Sequence, residues 1–412
     1  MLSIHFEAMS PPEHGGETPP VALHEQSTLQ RYRPSRRTLG FLASVVLLAL
    51  AFYYDYAILE AGTATVPFWD LTRFDWVLVA CFVVVGWLGV APLVSDPERT
   101  RRYWRQFRRD RLAVLGLGYL VVFTVVAAIG PILVGDQIAS LYRAFQPPYG
   151  FSVDAGVVGE CVGTVSGDRC HGTLQYPFGT NSIGLGVFYM LVHGARVSLL
   201  VALVAGAVVA PLGALVGITA GYVGGAVDEL LMRYVDVQEA IPAFVVYILA
   251  AFFLGRDLLL LLAVFGLLSW GGVARLVRSE TLQRRSTGYV RAARAAGAGR
   301  LHVIRRHILP NVGGTVVTAT SQIIPGLLLA EVALGYLRLN EETLYSWGLL
   351  LSMGLSGYHG SFPETFSLGN FNTGFMDKWW IATSTAIAVA ITIAAFALVG
   401  DRLREVLDPR ST

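Results

Sequence analysis

The feature that most constrains this chain is where its charges are not. Eight stretches, roughly 39–58, 76–95, 112–134, 197–220, 238–254, 257–274, 315–337 and 380–400, are almost free of them. A helix needs about 20 apolar residues to cross the hydrocarbon core of a bilayer. No water there can satisfy an exposed backbone, so each stretch must be helical. The chain therefore reads as an all-α polytopic membrane protein. Composition agrees: 54% of the 412 residues are hydrophobic and 15% are charged, against roughly a quarter charged in soluble domains. Asp55 interrupts the end of the first stretch, and the stretches at 238–254 and 257–274 are short enough to be tilted or partly re-entrant.

The basic residues are nearly all arginine, and their placement carries the topology. One cluster, Arg99, Arg101, Arg102, Arg105, Arg108, Arg109 and Arg111, follows the second stretch. Another fills 275–314, with Arg275, Arg278, Arg284, Arg285, Arg291, Arg294, Arg300, Arg305 and Arg306; Arg402, Arg404 and Arg410 close the chain. A single such cluster reads equally well as a solvated face, but three on alternate loops read as positive-inside topology. Eight crossings then put both termini in the cytoplasm and the loops 135–196 and 338–378 outside. Residues 1–38 are polar and Pro-rich, with no apolar region after Met1 to make a signal peptide. They are expected to form a disordered cytoplasmic tail.

The lone lysine, Lys378, lies in Met-Asp-Lys-Trp-Trp. A phosphate-binding loop ends in Gly-Lys-Ser/Thr, so the chain carries none, and ATP chemistry has to come from another chain. Cys81 lies within an apolar stretch and is expected to pack as a small hydrophobe. Cys161 and Cys170 fall on the outer, oxidising side, where a disulfide would add about 2–3 kcal/mol to a loop with little core. Two free thiols are the alternative. His193 and His302 have no neighbours in sequence that argue for metal.

The most informative polar stretch is 289–311. Tyr289 to Ala296 is Ala/Arg-rich and predicts a short helix, which Gly297 and Gly299 end. A second, amphipathic turn offers Leu301, Val303, Ile304 and Ile308 for burial, and Pro310 is expected to break it ahead of the next crossing. Such a helix fits a partner's groove as well as it fits an anionic lipid surface.

At this point the chain resembles a known family. Ala292, Ala293, Gly297, Leu309 and Pro310 match the cytoplasmic loop signature of binding-protein-dependent ABC permeases, and His307-Ile308-Leu309-Pro310-Asn311 resembles its dipeptide/oligopeptide/nickel branch. Gly194-Ala195-Arg196-Val197-Ser198-Leu199-Leu200, Ala220–Gly225, Asp228–Arg233, Ala274–Arg278, Ala330-Glu331, Ser346-Trp347-Gly348 and Leu407–Arg410 extend the resemblance over about residues 101–410. It implies the C-type subunit of an ABC importer that takes up dipeptides or oligopeptides, with nickel or another small solute as the alternative. The implied fold is a six-helix type I permease core within 112–400, reached through a basic linker at 96–111, with loop 275–314 as the coupling loop and 401–412 as a cytoplasmic tail. Its implied partners are a second homologous permease, two ATP-binding-cassette ATPases that hold ATP and Mg, and an extracellular substrate-binding protein. It implies a role in ATPase coupling for Tyr289, Arg291, Ala292, Ala293, Gly297, Leu309 and Pro310. No cofactor is expected on this chain, and no nucleic acid among its partners.

Three departures accompany the resemblance. Arg291 stands where the signature has Glu. The stretch Gly179–Gly186 resembles the family's Gly-Thr-Asp…Gly-Arg-Asp segment but lacks both acids and the arginine. Residues 39–95 add two crossings that the usual subunit does not have.

Charge inside an apolar stretch is costly and tends to face a wet cavity or a partner. Arg233, Asp236 and Glu239 recur every three residues on one helix face, beside Gln238. They are candidates for an inner gate, and an interfacial salt bridge accounts for them equally. Glu331 lies within Leu327–Ala333 and is either a structural carboxyl or part of the translocation path. Two other functions compete with this reading. An intramembrane serine protease would use Ser356, in Gly-Leu-Ser-Gly, with His359, but a catalytic base belongs on a facing element. A proton-coupled transporter would use Asp236 and Glu331, but no internal repeat accompanies them.

Overall fold

The computed structural model describes residues 36–57, 72–339, 345–355 and 378–407. The chain divides into two units, Met1–Ser44 and Val45–Thr412. In chain order the helices are α1 (Arg36–Ala57), α2 (Arg73–Ser95), the short α3 (Pro97–Phe107), α4 (Arg111–Val134), α5 (Val187–Val223), α6 (Gly225–Ala240), α7 (Ala243–Leu254), α8 (Leu258–Leu268), α9 (Gly271–Arg285), α10 (Gly288–Ala295), α11 (Arg300–Tyr336), α12 (Trp347–Leu355) and α13 (Trp379–Leu407). Among the described residues seven stretches are long and apolar enough to cross a membrane: α1, α2, α4, α5, α8 with α9, α11 and α13. The pair α6–α7, bent by 70°, makes an eighth crossing if it counts as one broken span.

The break in that pair follows from sequence. Ile241 precedes Pro242, whose ring disfavours a helical residue before it. Ile241 is accordingly extended, at φ −107° and ψ 113°, and Pro242 opens α7. Elsewhere several helices run beyond their apolar stretches, α9 to Arg285 and α11 back to Arg300. α5 starts at Val187 rather than near 197, because His193 and Arg196 interrupt the hydropathy without interrupting the helix.

Contacts fix which helix ends lie together. At one end the Arg285 guanidinium donates to Gly221 O at 2.9 Å, and Arg402 donates to Gln106 O. At the other, Arg256 donates to Arg338 O at 2.9 Å and Trp380 Nε1 to Thr180 O at 3.2 Å. The first is called the basic end here, since α3 and the segment 285–300 lie there. The second carries a small sheet, strands β1 (Ser152–Asp154), β2 (Val165–Ser166) and β3 (Arg169–His171) in the order β1-β3-β2, all antiparallel. Strands this short hold poorly alone. Cys161 and Cys170 are joined by a disulfide, and buried Gln146 grips the same loop by donating to Glu160 O at 2.7 Å and accepting from Val162 N at 3.0 Å.

α5 is the axis of the core. Its residues Val197–Ala205 are nearly all buried against Leu258, Leu261 and Phe265 of α8 and Leu327 and Leu328 of α11. Toward the basic end, Gly213, Gly217 and Gly221 recur at four-residue spacing. A Cβ on each would stand 2.7 Å from Val273, 2.5 Å from Ala274 O and 2.8 Å from Thr281. Helices in hydrocarbon associate by van der Waals fit at such small residues, so this stripe lets α9 lie directly against α5. Cys81 is buried within α2.

Candidate functional site

The segment singled out by sequence forms a separate structural group at the basic end. A cluster of buried side chains joins Tyr222 of α5, Val235 of α6, Val273 and Val277 of α9, Val290 of α10, and Val303, Ile308 and Val312 of α11. α10 contributes only Val290, which is fully buried. Arg294 adds a cation–π contact, its guanidinium 4.8 Å from the centre of the Tyr222 ring. The remaining surface of α10 faces outward: Tyr289, Arg291, Ala292 and Ala295 are exposed, and Ala293 is half-buried.

The end of α10 is a Schellman motif. Ala298 N donates to Ala293 O at 3.0 Å and Gly297 N to Arg294 O at 2.9 Å, with Gly297 at φ +84°. A Cβ at Gly297 would meet nothing within 4 Å, so glycine is needed there for its backbone and not for space. Pro310 does not break the helix, contrary to the sequence-based expectation; α11 runs from Arg300 to Tyr336. The turn Ile304–Ile308 is wound as a π-helix, with Leu309 N donating to Ile304 O, which widens the helix ahead of the proline ring. Asn311 Nδ2 covers His307 O at 2.6 Å. Leu309 and Pro310 are exposed beside this turn. Leu301, expected to be buried, is 59% exposed, and Val303 is the buried residue of that first turn of α11.

The polar residues of α6 form two separate sets. Arg233 pairs with Glu229 one turn earlier, at 2.6 Å. Asp236 and Glu239 both bind Arg275 of α9, at 2.8 and 2.5 Å. One turn further along α9, Arg278 holds Asp228 in a fork of 2.5 and 2.7 Å. Two arginines at i and i+3 thus latch α9 to the broken span, and Gln238 adds a bond to Leu267 O at 3.2 Å. Glu331 is wholly buried in α11. Ser356 and His359 lie outside the described residues. Among those described, no three His, Cys, Asp or Glu side chains gather as metal ligands would.

The segment Gly179–Gly186 explains one departure. Asn181 Oδ1 accepts from Ile183 N at 3.0 Å and Leu185 N at 2.9 Å. An aspartate would accept the same bonds, so the missing acid leaves this turn intact. Arg275 and Arg278, legible in sequence as topology signals and as part of the family resemblance, were not legible as partners of the acids on α6. Sequence reading also missed the glycine stripe, which is legible as Gly-x₃-Gly-x₃-Gly, and the buried pair Asp75–Arg196.

Comparison with known proteins places these features. Residues 213–412 match the model of the family described as the binding-protein-dependent transport system inner membrane component. Residues 99–148 match the N-terminal transmembrane domain of oligopeptide transport permease C. The dipeptide transport system permease protein DppC of Bacillus subtilis is 29% identical over 314 residues, 76% of this chain and 86% of its own length. The oligopeptide transport system permease protein OppC of Haemophilus influenzae is 33% identical over 234 residues, 57% of this chain and 70% of its own length. A putative peptide transport system permease protein of Brucella abortus is 31% identical over 326 residues, 78% of this chain and 94% of its own length. With its helical bundle, its multiple crossings and the α10 signature region in place, the chain belongs to the family of binding-protein-dependent transport system inner membrane components, as a permease of the C type.

Proposed function

We propose that this chain is one half of the pore of an ATP-driven peptide importer in the plasma membrane, and that α10 is the helix on which an ATPase subunit acts. The observation that carries the proposal is α10 itself: eight residues set off at the basic end, held by one buried side chain, with Arg291, Ala292 and Ala295 outward. The relatives' names, dipeptide and oligopeptide transport permeases, support peptides as the cargo. The basic end is then cytoplasmic, with both chain termini on that side and the disulfide-closed sheet outside. A second, similar permease completes the pore, two ATP-binding-cassette subunits hold ATP and Mg beneath it, and a substrate-binding protein delivers peptide from outside. Hydrolysis belongs to those partners.

The route of force follows from contacts. Movement of α10 acts on the cluster of Val290, Val277 and Val235, and on the Arg275 and Arg278 latches. These reach α6 and, past the 70° break, α7. A rigid-body shift of α9 with α6 would open or close the cytoplasmic end of the pore, one form of alternating access. Asp236 and Glu239 act in this scheme through Arg275. Arg291 is exposed, so the groove that receives α10 must offer a neutral or acidic surface where the usual signature glutamate would meet another.

The test is peptide uptake by the full complex in proteoliposomes. Ala292→Asp should abolish ATP-driven uptake while hydrolysis by the complex continues. Uptake at the wild-type level in that variant would refute the docking role of α10. Glu331 as a path-lining group predicts that Glu331→Cys reacts with a water-soluble thiol reagent during turnover, although the site is closed in this state. Protection throughout turnover assigns it to structure alone.

A further inference from the structure

The family matches begin at residue 99, and α1 and α2 precede them. α2 is unlike the core helices: only 11% of its most apolar 18-residue window is buried. Lipid tails are as apolar as leucine, so an apolar helix gains little by exchanging them for protein. So small a contact area does not tell α2 where to sit.

Charge in its first turn does. Asp75 is 1% exposed, and both its oxygens are engaged. Oδ2 accepts from Thr72 N at 2.8 Å and Thr72 Oγ1 at 2.7 Å, forming the capping box that starts the helix. Oδ1 pairs with the Arg196 guanidinium of α5, which is itself largely buried. Two residues earlier, Arg73 lies 3.1 Å from Asp257, in the turn between α7 and α8. The other Asp257 oxygen caps α8 through Leu259 N at 2.7 Å. Deeper along α2, Leu78 and Cys81 enter the same buried cluster as α5 and α8. A Cβ at Gly206 would come within 3.1 Å of Val85. On its far side Trp76 donates to Asp55 of α1 at 2.7 Å, with Phe52 edge-on to the indole.

We propose that α2 is a brace on the outer half of the transport core, seated by Asp75–Arg196 and Arg73–Asp257, and that Arg196 is a positioning residue for transport whose counter-ion this brace supplies. Arg196 lies on the buried axis of the molecule, where a guanidinium without a carboxylate is strongly unfavourable. The two links tie the outer end of α5 to the outer turn of α7–α8. Rearrangement is thereby directed to the opposite end, where the Arg275 and Arg278 latches lie. The seating claim stands on these contacts alone; the transport claim rests on the import reading above.

The experiment uses the full chain in its complex, with Cys81→Ala, Val85→Cys and Gly206→Cys introduced as a proximity pair. Disulfide yield is read by peptide mass spectrometry, and uptake by its KM and kcat. Asp75→Arg and Arg196→Asp alone should each lower both yield and kcat by about tenfold or more. The double exchange should restore both, and Asp75→Glu should preserve them. Should a single inversion prevent assembly, Asp75→Asn, which keeps the shape of the side chain, gives the reading, with lowered kcat and little change in KM expected. Undiminished cross-linking in Asp75→Arg or Asp75→Asn would overturn the seating claim. Wild-type kcat with lost cross-linking, or a double exchange no better than Arg196→Asp alone, would overturn the positioning role. Absence of ATP-driven uptake in the unmutated complex would instead reject the import reading, and the cross-link would still decide the seating.

Discussion

α10 and α2 are both peripheral helices with apolar contacts, but only α2 adds a buried ion pair. α10 is attached by one buried apolar side chain, Val290, a cation–π contact on Tyr222 and a ring contact of Tyr289 with His307. Such a hold resists separation but tolerates sliding and tilting, since dispersion contacts carry little directional cost. α2 also packs through Leu78 and Cys81, but to these apolar contacts it adds a buried ion pair whose carboxylate starts the helix. A buried pair fixes depth and rotation together, and it contributes to specificity more than to stability. The difference separates an element suited to being moved by a partner from one suited to staying in place.

That contrast yields a graded set of outcomes. The largest should come from Arg196→Asp, which sets two acids against each other in a buried site; loss of one partner of a buried pair costs on the order of 3–5 kcal/mol. Thermal unfolding of the purified complex reads it. Next is Gly297→Val. With φ at +84°, a β-branched residue there should cost about 1–3 kcal/mol locally and uncouple hydrolysis from uptake, whereas Gly297→Asn should retain most coupling because asparagine tolerates that conformation. Arg275→Ala should leave thermal stability within about 1 kcal/mol, because the side chains it joins are partly solvated, yet lower the peptide carried per ATP hydrolysed. A loss of stability equal to that of Arg196→Asp would erase the contrast between latch and brace. Arg291→Glu should leave the chain's own stability unchanged and weaken its association with the ATPase, an effect that fades as salt rises.

Much of this arrangement was legible in the residues. Hydropathy located the crossings because a bilayer accepts only long apolar helices, and Gly297 marked the end of α10 because few other residues adopt its backbone. The two cysteines lie close enough in sequence for their pairing to be expected. What sequence withheld were partners and compensations. Asp75 and Arg196 are separated by 121 positions in the numbering, and only packing of α2 on α5 brings them together. Pro310 looked like a breaker because the π-turn at Ile304–Ile308 that absorbs it has no sequence mark. His193 and Arg196 hid the first ten residues of α5 because hydropathy counts a paired arginine as though it stood alone. Asp236 and Glu239 were recognised as a set with Arg233, but their shared partner, Arg275, lies on another helix.

The central claim is that ATP hydrolysed by partner subunits is converted to peptide transport through α10. The most direct measurement is the ratio of peptide taken up to ATP hydrolysed by the complex in sealed proteoliposomes, for wild type and Ala292→Asp side by side. The account predicts a fixed ratio in wild type and a ratio near zero in the variant, with hydrolysis persisting. An unchanged ratio in Ala292→Asp, or uptake that proceeds without ATP, would contradict it.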